Sequence, residues 1–220
     1  MGLDVIQRIR YFDQSNGILF VKKKSGDKVE LIFIRHGQGE HTLAIPNSLQ
    51  VKNPSLTALG ISQAKLLRKK FTLTDEDIVF ISPIKRTLET TLIWTLQVDC
   101  RKIVSPFISP RIFPFHPNGK TLPCDIIINL ETIKKDYPNL EIDLNVPPDL
   151  WLGGINTMPD SDFNNIAQQF IANLKSLKKD KIFIVSHDGT ITAYRQLISG
   201  RTLSRRDFPD ETGWFQINVD

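Results

Sequence analysis

Three short runs constrain this chain more than anything else in it: LIFI at 31–34, IVFI at 78–81 and IFIV at 182–185. None is broken by a polar residue. A strand with one wet face alternates; a continuous apolar run of this length is a strand buried on both faces. Stretches of helical periodicity separate the runs, so helices must cover the sheet from both sides. The prediction is an α/β fold: a three-layer sandwich with a mostly parallel central sheet flanked by helices.

Other elements fill in around those runs. Residues 4–12 read as a short amphipathic helix. Residues 17–23 turn through Ser25, Gly26 and Asp27 into a strand over Val29–Arg35, an N-terminal hairpin. Ser55 is the expected N-cap of the next helix, with Leu56, Leu59, Ala64, Leu66 and Leu67 inward. Pro83 opens a helix over 84–96, where proline is tolerated. A short strand follows at 102–104, and helices at 126–137, from Ser161 or Asp162 to about Lys178, and at 190–199 before Gly200. Trp214–Val219 alternates and reads as a final strand. Residues 105–155, rich in Pro and aromatics at 105–125 and again around Pro147, Pro148 and Trp151, read as a lid inserted mid-chain.

With 220 residues and no linker-like stretch, one domain over 1–220 is expected, with 1–28 as an extension. The net charge of +4 is mild, and no lysine block is long enough for a nucleic-acid arm. No apolar run approaches the roughly 18 residues of a membrane helix. The N-terminus lacks the apolar region of a signal peptide. Met-Gly is followed at position 6 by Ile, so the myristoylation pattern is absent too. Cys100 and Cys124 are too few for a zinc cluster and fit reduced thiols in a cytoplasmic protein. These readings leave a small molecule as the expected partner, with no nucleic acid and no membrane, and leave the oligomeric state open.

Each buried run ends in the same way. Residues 31–34 lead into Arg35, His36 and Gly37; 78–81 into Ser82, Pro83, Ile84, Lys85 and Arg86; 182–185 into Ser186, His187, Asp188 and Gly189. In an open parallel sheet, ligands bind beyond the carboxyl ends of the strands. The following helices point N–H groups there, which favours anions. Two arginines and two histidines brought to one edge repel one another unless an anion such as phosphate joins them, and the planar guanidinium suits two phosphate oxygens. A single such junction is more often a hydrogen-bonded core His or a surface Arg; three together are not.

These segments resemble the histidine phosphatase superfamily, also called phosphoglycerate-mutase-like. The resemblance rests on Arg35-His36-Gly37, on Ser82-Pro83-x-x-Arg86, on His187 within VSHDGT, and on Leu56-Thr57-x-x-Gly60. RHGQGEH and LPCD (122–125) look most like a fungal or eukaryotic subgroup with RHGxGxHN and PCD. What this implies is a phosphomonoester phosphatase with no metal and no cofactor. His36 would attack phosphorus and become phosphohistidine, and Arg35, Arg86 and His187 would hold the equatorial oxygens. Gly37 would let the backbone pass close to the ligand. The alternatives are a phosphoglycerate-mutase-like phosphomutase and a catalytically weak phosphate-pocket domain with a binding or regulatory role.

Two departures from the family pattern matter. An Asn that often helps bind phosphate is replaced by Thr42, with Gln38 as a neighbouring candidate. The Glu that donates a proton to the leaving group in the mutase-like branch has no counterpart in RIFPFHPNGKTLPCD, where Pro114 falls near its place. Asp188, beside the second His as in the acid phosphatase branch, is the favoured donor, with His116 and Asp125 as substitutes. The plain reading of Asp188 is an N-cap for the helix after it. Glu89 reads as a helix ion pair or support for the site, while Phe113, Phe115, Pro117 and Trp151 are candidate cleft walls.

Overall fold

The structure is a computed structural model that describes residues 28–219. The expected helix at 4–12 and the first strand and turn of the hairpin lie outside the described residues. Among the described residues, β1 (Val29–Arg35), β2 (Ile78–Ile81), β3 (Arg101–Val104), β4 (Glu141–Ile142), β5 (Lys181–Ser186) and β6 (Trp214–Val219) form one sheet, ordered β4-β3-β2-β5-β1-β6. All pairs are parallel except β1 with β6.

The unbroken apolar runs are buried on both faces. Along β1, Leu31 and Phe33 enter one core and Ile32 and Ile34 the other; along β5, Ile182 and Ile184 oppose Phe183 and Val185. Helices α1 (Ala58–Lys70) and α2 (Lys85–Trp94) supply Leu67, Leu88 and Trp94 to the second core. Three further helices follow: α3 (Leu130–Asp136), the short α4 (Leu150–Gly153) and α5 (Asp160–Ser176). Phe163, Phe170 and Leu174 of α5 join the first core beside Tyr194 of α6 (Asp188–Ser199). Each such fully buried side chain contributes about 1.5–3 kcal/mol relative to exposure.

Several boundaries differ from expectation for local reasons. Thr57, not Ser55, caps α1, its hydroxyl accepting from the Gly60 N–H at 3.0 Å. Only Leu56, Ala64 and Leu67 of the expected inner face are buried; Leu59 and Leu66 are exposed, because the contact stripe runs through Gly60, Ala64 and Leu67. Ile84 is extended and Lys85 begins α2, two residues after Pro83. Asn129 caps α3, so 126–129 are not helical. Pro159 precedes α5, and Ser161 and Asp162 lie inside it. The segment read as a lid is in part core: residues 105–111 are buried, with Phe107 stacked on Phe170 and Arg111 paired to Asp160. Phe113 also packs into the first core rather than facing outward.

Candidate active site

Strand register brings the three junctions level. Arg35 lies opposite Ser186, and Ile81 opposite Val185. The chain continues the ladder past the strand ends, with His36 N–H donating to Ser186 O and Ser82 N–H to Val185 O, both at 3.1 Å. His36, Arg86 and His187 therefore meet at one edge, each no more than 3% exposed.

The loop after β1 is pressed against the start of α1. A Cβ on Gly37 would stand 2.6 Å from Gly60 O, and one on Gly60 2.1 Å from Gln38 O, so neither position has room for a side chain. Gly37 N–H donates to Thr90 Oγ1 of α2 at 3.1 Å, and Glu89 accepts the Leu56 N–H at 2.7 Å. Glu89 thus anchors the approach to α1, while its pair with Lys85 is long at 3.9 Å.

Arg86 organises the imidazoles. Its Nε donates to His36 Nε2 at 3.1 Å, and its two Nη atoms reach Cys124 O (2.7 Å), Asp125 Oδ1 (2.8 Å) and His187 Nδ1 (3.2 Å). A guanidinium only donates, so His36 Nε2 and His187 Nδ1 are lone-pair nitrogens. The proton of His36 is then on Nδ1, held by Gly37 O at 2.6 Å, and that of His187 on Nε2, donated to Ser82 Oγ at 2.8 Å. The tautomer of His36 leaves Nε2 as the nucleophilic atom.

Burial and positive neighbours keep both rings neutral. His36 is lowered well below the usual histidine range by burial first, then by Arg86, His41 and Arg35; His187 is lowered likewise by burial, then Arg86 and the other imidazoles. Cys124 is no rival nucleophile, since burial pushes its thiol up to about 11.

Arg35 donates to Pro209 O at 2.9 Å and pairs with Asp188 Oδ2 at 2.9 Å. Asp188 is the first residue of α6; His187 holds the cap position, so the expected capping role is not the one seen. The other carboxylate oxygen accepts the Gly189 N–H. Each arginine is thus matched to one carboxylate, Arg35 to Asp188 and Arg86 to Asp125.

The remaining candidates are engaged elsewhere. The Thr42 hydroxyl donates to Gly39 O at 2.9 Å, and the Gln38 side chain accepts from Thr57 Oγ1 at 2.9 Å, so both brace the loop. His116 lies in an exposed turn. His41 was not among the expected site residues, yet its ring centroid is 5.6 Å from that of His36. The signal was available in RHGQGEH, where a short one-turn helix returns position 41 toward the strand end.

Residues 31–107 match the family model "Histidine phosphatase superfamily (branch 1)". Over those residues the chain is similar to that superfamily. Its fold is shared with the alpha-ribazole phosphatase of Shigella flexneri (TM-score 0.57, 20% identity, 87% of this chain and 91% of that one). A phosphoserine phosphatase from Entamoeba histolytica, in complex with 3-phosphoglyceric acid, gives a TM-score of 0.53 at 20% identity over 86% and 89%. A mycobacterial glucosyl-3-phosphoglycerate phosphatase gives 0.55 at 15% over 87% and 90%. No curated protein sequence matches the chain.

Proposed function

We propose that this chain is a member of the histidine phosphatase superfamily and a phosphoric monoester hydrolase, acting on a soluble small-molecule phosphomonoester through phosphohistidine at His36. The observation that carries the reading is the state of His36. It is buried and neutral, its Nδ1–H is tied to Gly37 O, and its Nε2 lone pair faces Arg86. That is the arrangement an in-line attack on phosphorus requires. In the bound state the phosphoryl oxygens replace the His36 contact of Arg86 and the Asp188 contact of Arg35. Arg35 and Arg86 then hold the equatorial charge of a loose transition state, while His187 Nδ1 keeps its hold on the guanidinium. Asp188, displaced from Arg35 but tethered through Gly189 N–H, takes the proton carried by a monoanionic phosphomonoester and is the proposed donor of that proton to the leaving oxygen. Water releases phosphate from His36 in a second displacement.

That the fold neighbours include phosphatases of small phosphomonoesters supports the substrate class. The cysteines, both buried and free, are in keeping with a reducing cytoplasmic setting. Among the described residues no helix is long and apolar enough to cross a membrane. The test is turnover of a generic aryl phosphate in EDTA by wild type and by His36→Ala. Wild type should turn over and the variant should not; equal rates would sink the reading.

A further inference from the structure

His41 is the one member of the imidazole cluster whose hydrogen bonding is incomplete. Its Nδ1 is buried without a partner, which costs about 1–3 kcal/mol unless something satisfies it. The ring stands beside His36 and lies over Gly39, where a Cβ would meet its Nδ1 at 2.6 Å and Arg86 Cδ at 3.3 Å. A half-buried imidazole in that position faces the anion site, yet nothing in the protein uses its inner nitrogen.

The charge balance of the site gives this a meaning. Asp125 and Asp188 already offset Arg86 and Arg35, and His36 and His187 are neutral. A phosphate dianion entering a site of no net charge needs a compensating proton. Neither His36 nor His187 is free to take it. His36 attacks as the neutral ring, and His187 has both ring nitrogens engaged, one of them by an Arg86 N–H that a second N–H would oppose. Both are also more deeply buried than His41. The charged and titratable groups around His41 are Arg86 from α2, with Asp125 on its far side, Arg35 with Asp188, His36 and His187 at the strand ends, and the neighbouring Glu40.

We infer that His41 is a further anion-binding residue of the site, neutral when the site is empty and protonated when an oxyanion dianion occupies it, so that binding draws in one proton. The inference rests on the phosphatase reading above and deepens it. Its empty-site half agrees with the ring's basicity: burial first, then Arg86 and Arg35, lower it to about 3. Occupation by a dianion reverses the electrostatic part of that shift, so affinity is linked to pH.

Sulfate is the probe, because it stays a dianion at these pH values and brings no proton of its own. Calorimetric titration of sulfate into the whole chain at pH 6, in buffers of different ionisation enthalpy, counts the protons taken up. The expected result is net proton uptake by wild type, up to one proton, with affinity falling as pH rises from 5 to 7. His41→Asn should abolish the uptake and flatten that dependence, whereas His116→Asn, in an exposed turn, should keep it. Imidazole nitrogen shifts of wild type with and without sulfate give the answer without any variant: one ring, His41, should become charged. Sulfate binding with no proton uptake, or uptake that survives His41→Asn, overturns the inference and leaves the phosphatase reading standing. If neither sulfate nor phosphate binds, the phosphatase reading itself falls and takes the inference with it.

Discussion

Replacing Arg86 separates what its charge does from what its shape does. The side chain is 2% exposed and makes four contacts: His36 Nε2, Cys124 O, Asp125 Oδ1 and His187 Nδ1. Arg86→Met keeps the bulk and removes both charge and donors. Losing a donor aimed at transition-state charge costs about 10²–10³ in rate, and two Nη groups are lost here, so kcat/KM should fall at least a hundredfold. Stranding the Cys124 carbonyl and Asp125 should also cost about 1–3 kcal/mol of stability. The pH profile carries the finer test. Arg86 is the largest charge acting on His36 and His187, second only to burial. Removing it lets both rings gain protons more easily. Because His36 attacks as the neutral ring, activity is lost on the acid side, and that limb should move to higher pH in Arg86→Met. Arg86→Lys retains the charge but not the fork, so its rate should drop while its acid limb stays near the wild-type position. The assay is aryl phosphate hydrolysis from pH 4 to 9, corrected for the substrate's own ionisation. An acid limb unmoved in Arg86→Met, or a loss under tenfold, would refute the account of how His36 is kept neutral.

Asp188→Asn should slow hydrolysis of an alkyl phosphate by about 10²–10⁴ and of a nitrophenyl phosphate far less, since only the poor leaving group needs the proton; equal losses on both would remove Asp188 from that role. Stability should be pH-sensitive through His41: between 6.5 and about 3 the unfolded ring binds a proton that the folded ring refuses. Stability therefore falls as pH drops through that window, by up to ~1.4 kcal/mol per pH unit from this ring. Urea midpoints should show His41→Asn flattening that fall, and an unchanged slope would contradict it. Gly60→Ala puts a Cβ against Gln38 O, and should cost about 1–3 kcal/mol while lowering activity through the displaced loop; a variant as stable and active as wild type would argue against the tight loop packing.

The sheet was legible because residues 31–34, 78–81 and 182–185 are buried on both faces, and burial on both faces leaves an unbroken run. β4 was not, since Glu141–Ile142 is two residues at an edge and carries no pattern. Leu59 and Leu66 misled because an exposed leucine looks like a buried one in sequence; the real contact surface of α1 is built on Gly60, where backbones touch. Arg111 falls in the Pro-rich stretch at 105–125 but is buried against Asp160 and over Phe163, a long-range pairing that no local signal reveals. At the site, Arg35, His36, Arg86 and His187 were visible as strand-end residues, which register then brings together. Their partners were less so. The tautomers of His36 and His187 depend on Gly37 O, Ser82 Oγ and a shared guanidinium, and His41 reaches the cluster only through a turn of the loop. Thr42 and Gln38 looked like ligands because of where they fall after His36; the Thr42 hydroxyl and the Gln38 side-chain oxygen make loop hydrogen bonds.

The central claim is a covalent intermediate on one nitrogen. Rapid quenching of wild-type protein during aryl phosphate turnover, followed by peptide mapping by mass spectrometry under conditions that spare phosphohistidine, tests it most directly. The account predicts a phosphoryl group on His36, at Nε2, appearing no more slowly than the first turnover and absent from His36→Ala. Turnover with His36 unmodified throughout, or with the phosphoryl group on His41 or His187 instead, would contradict it.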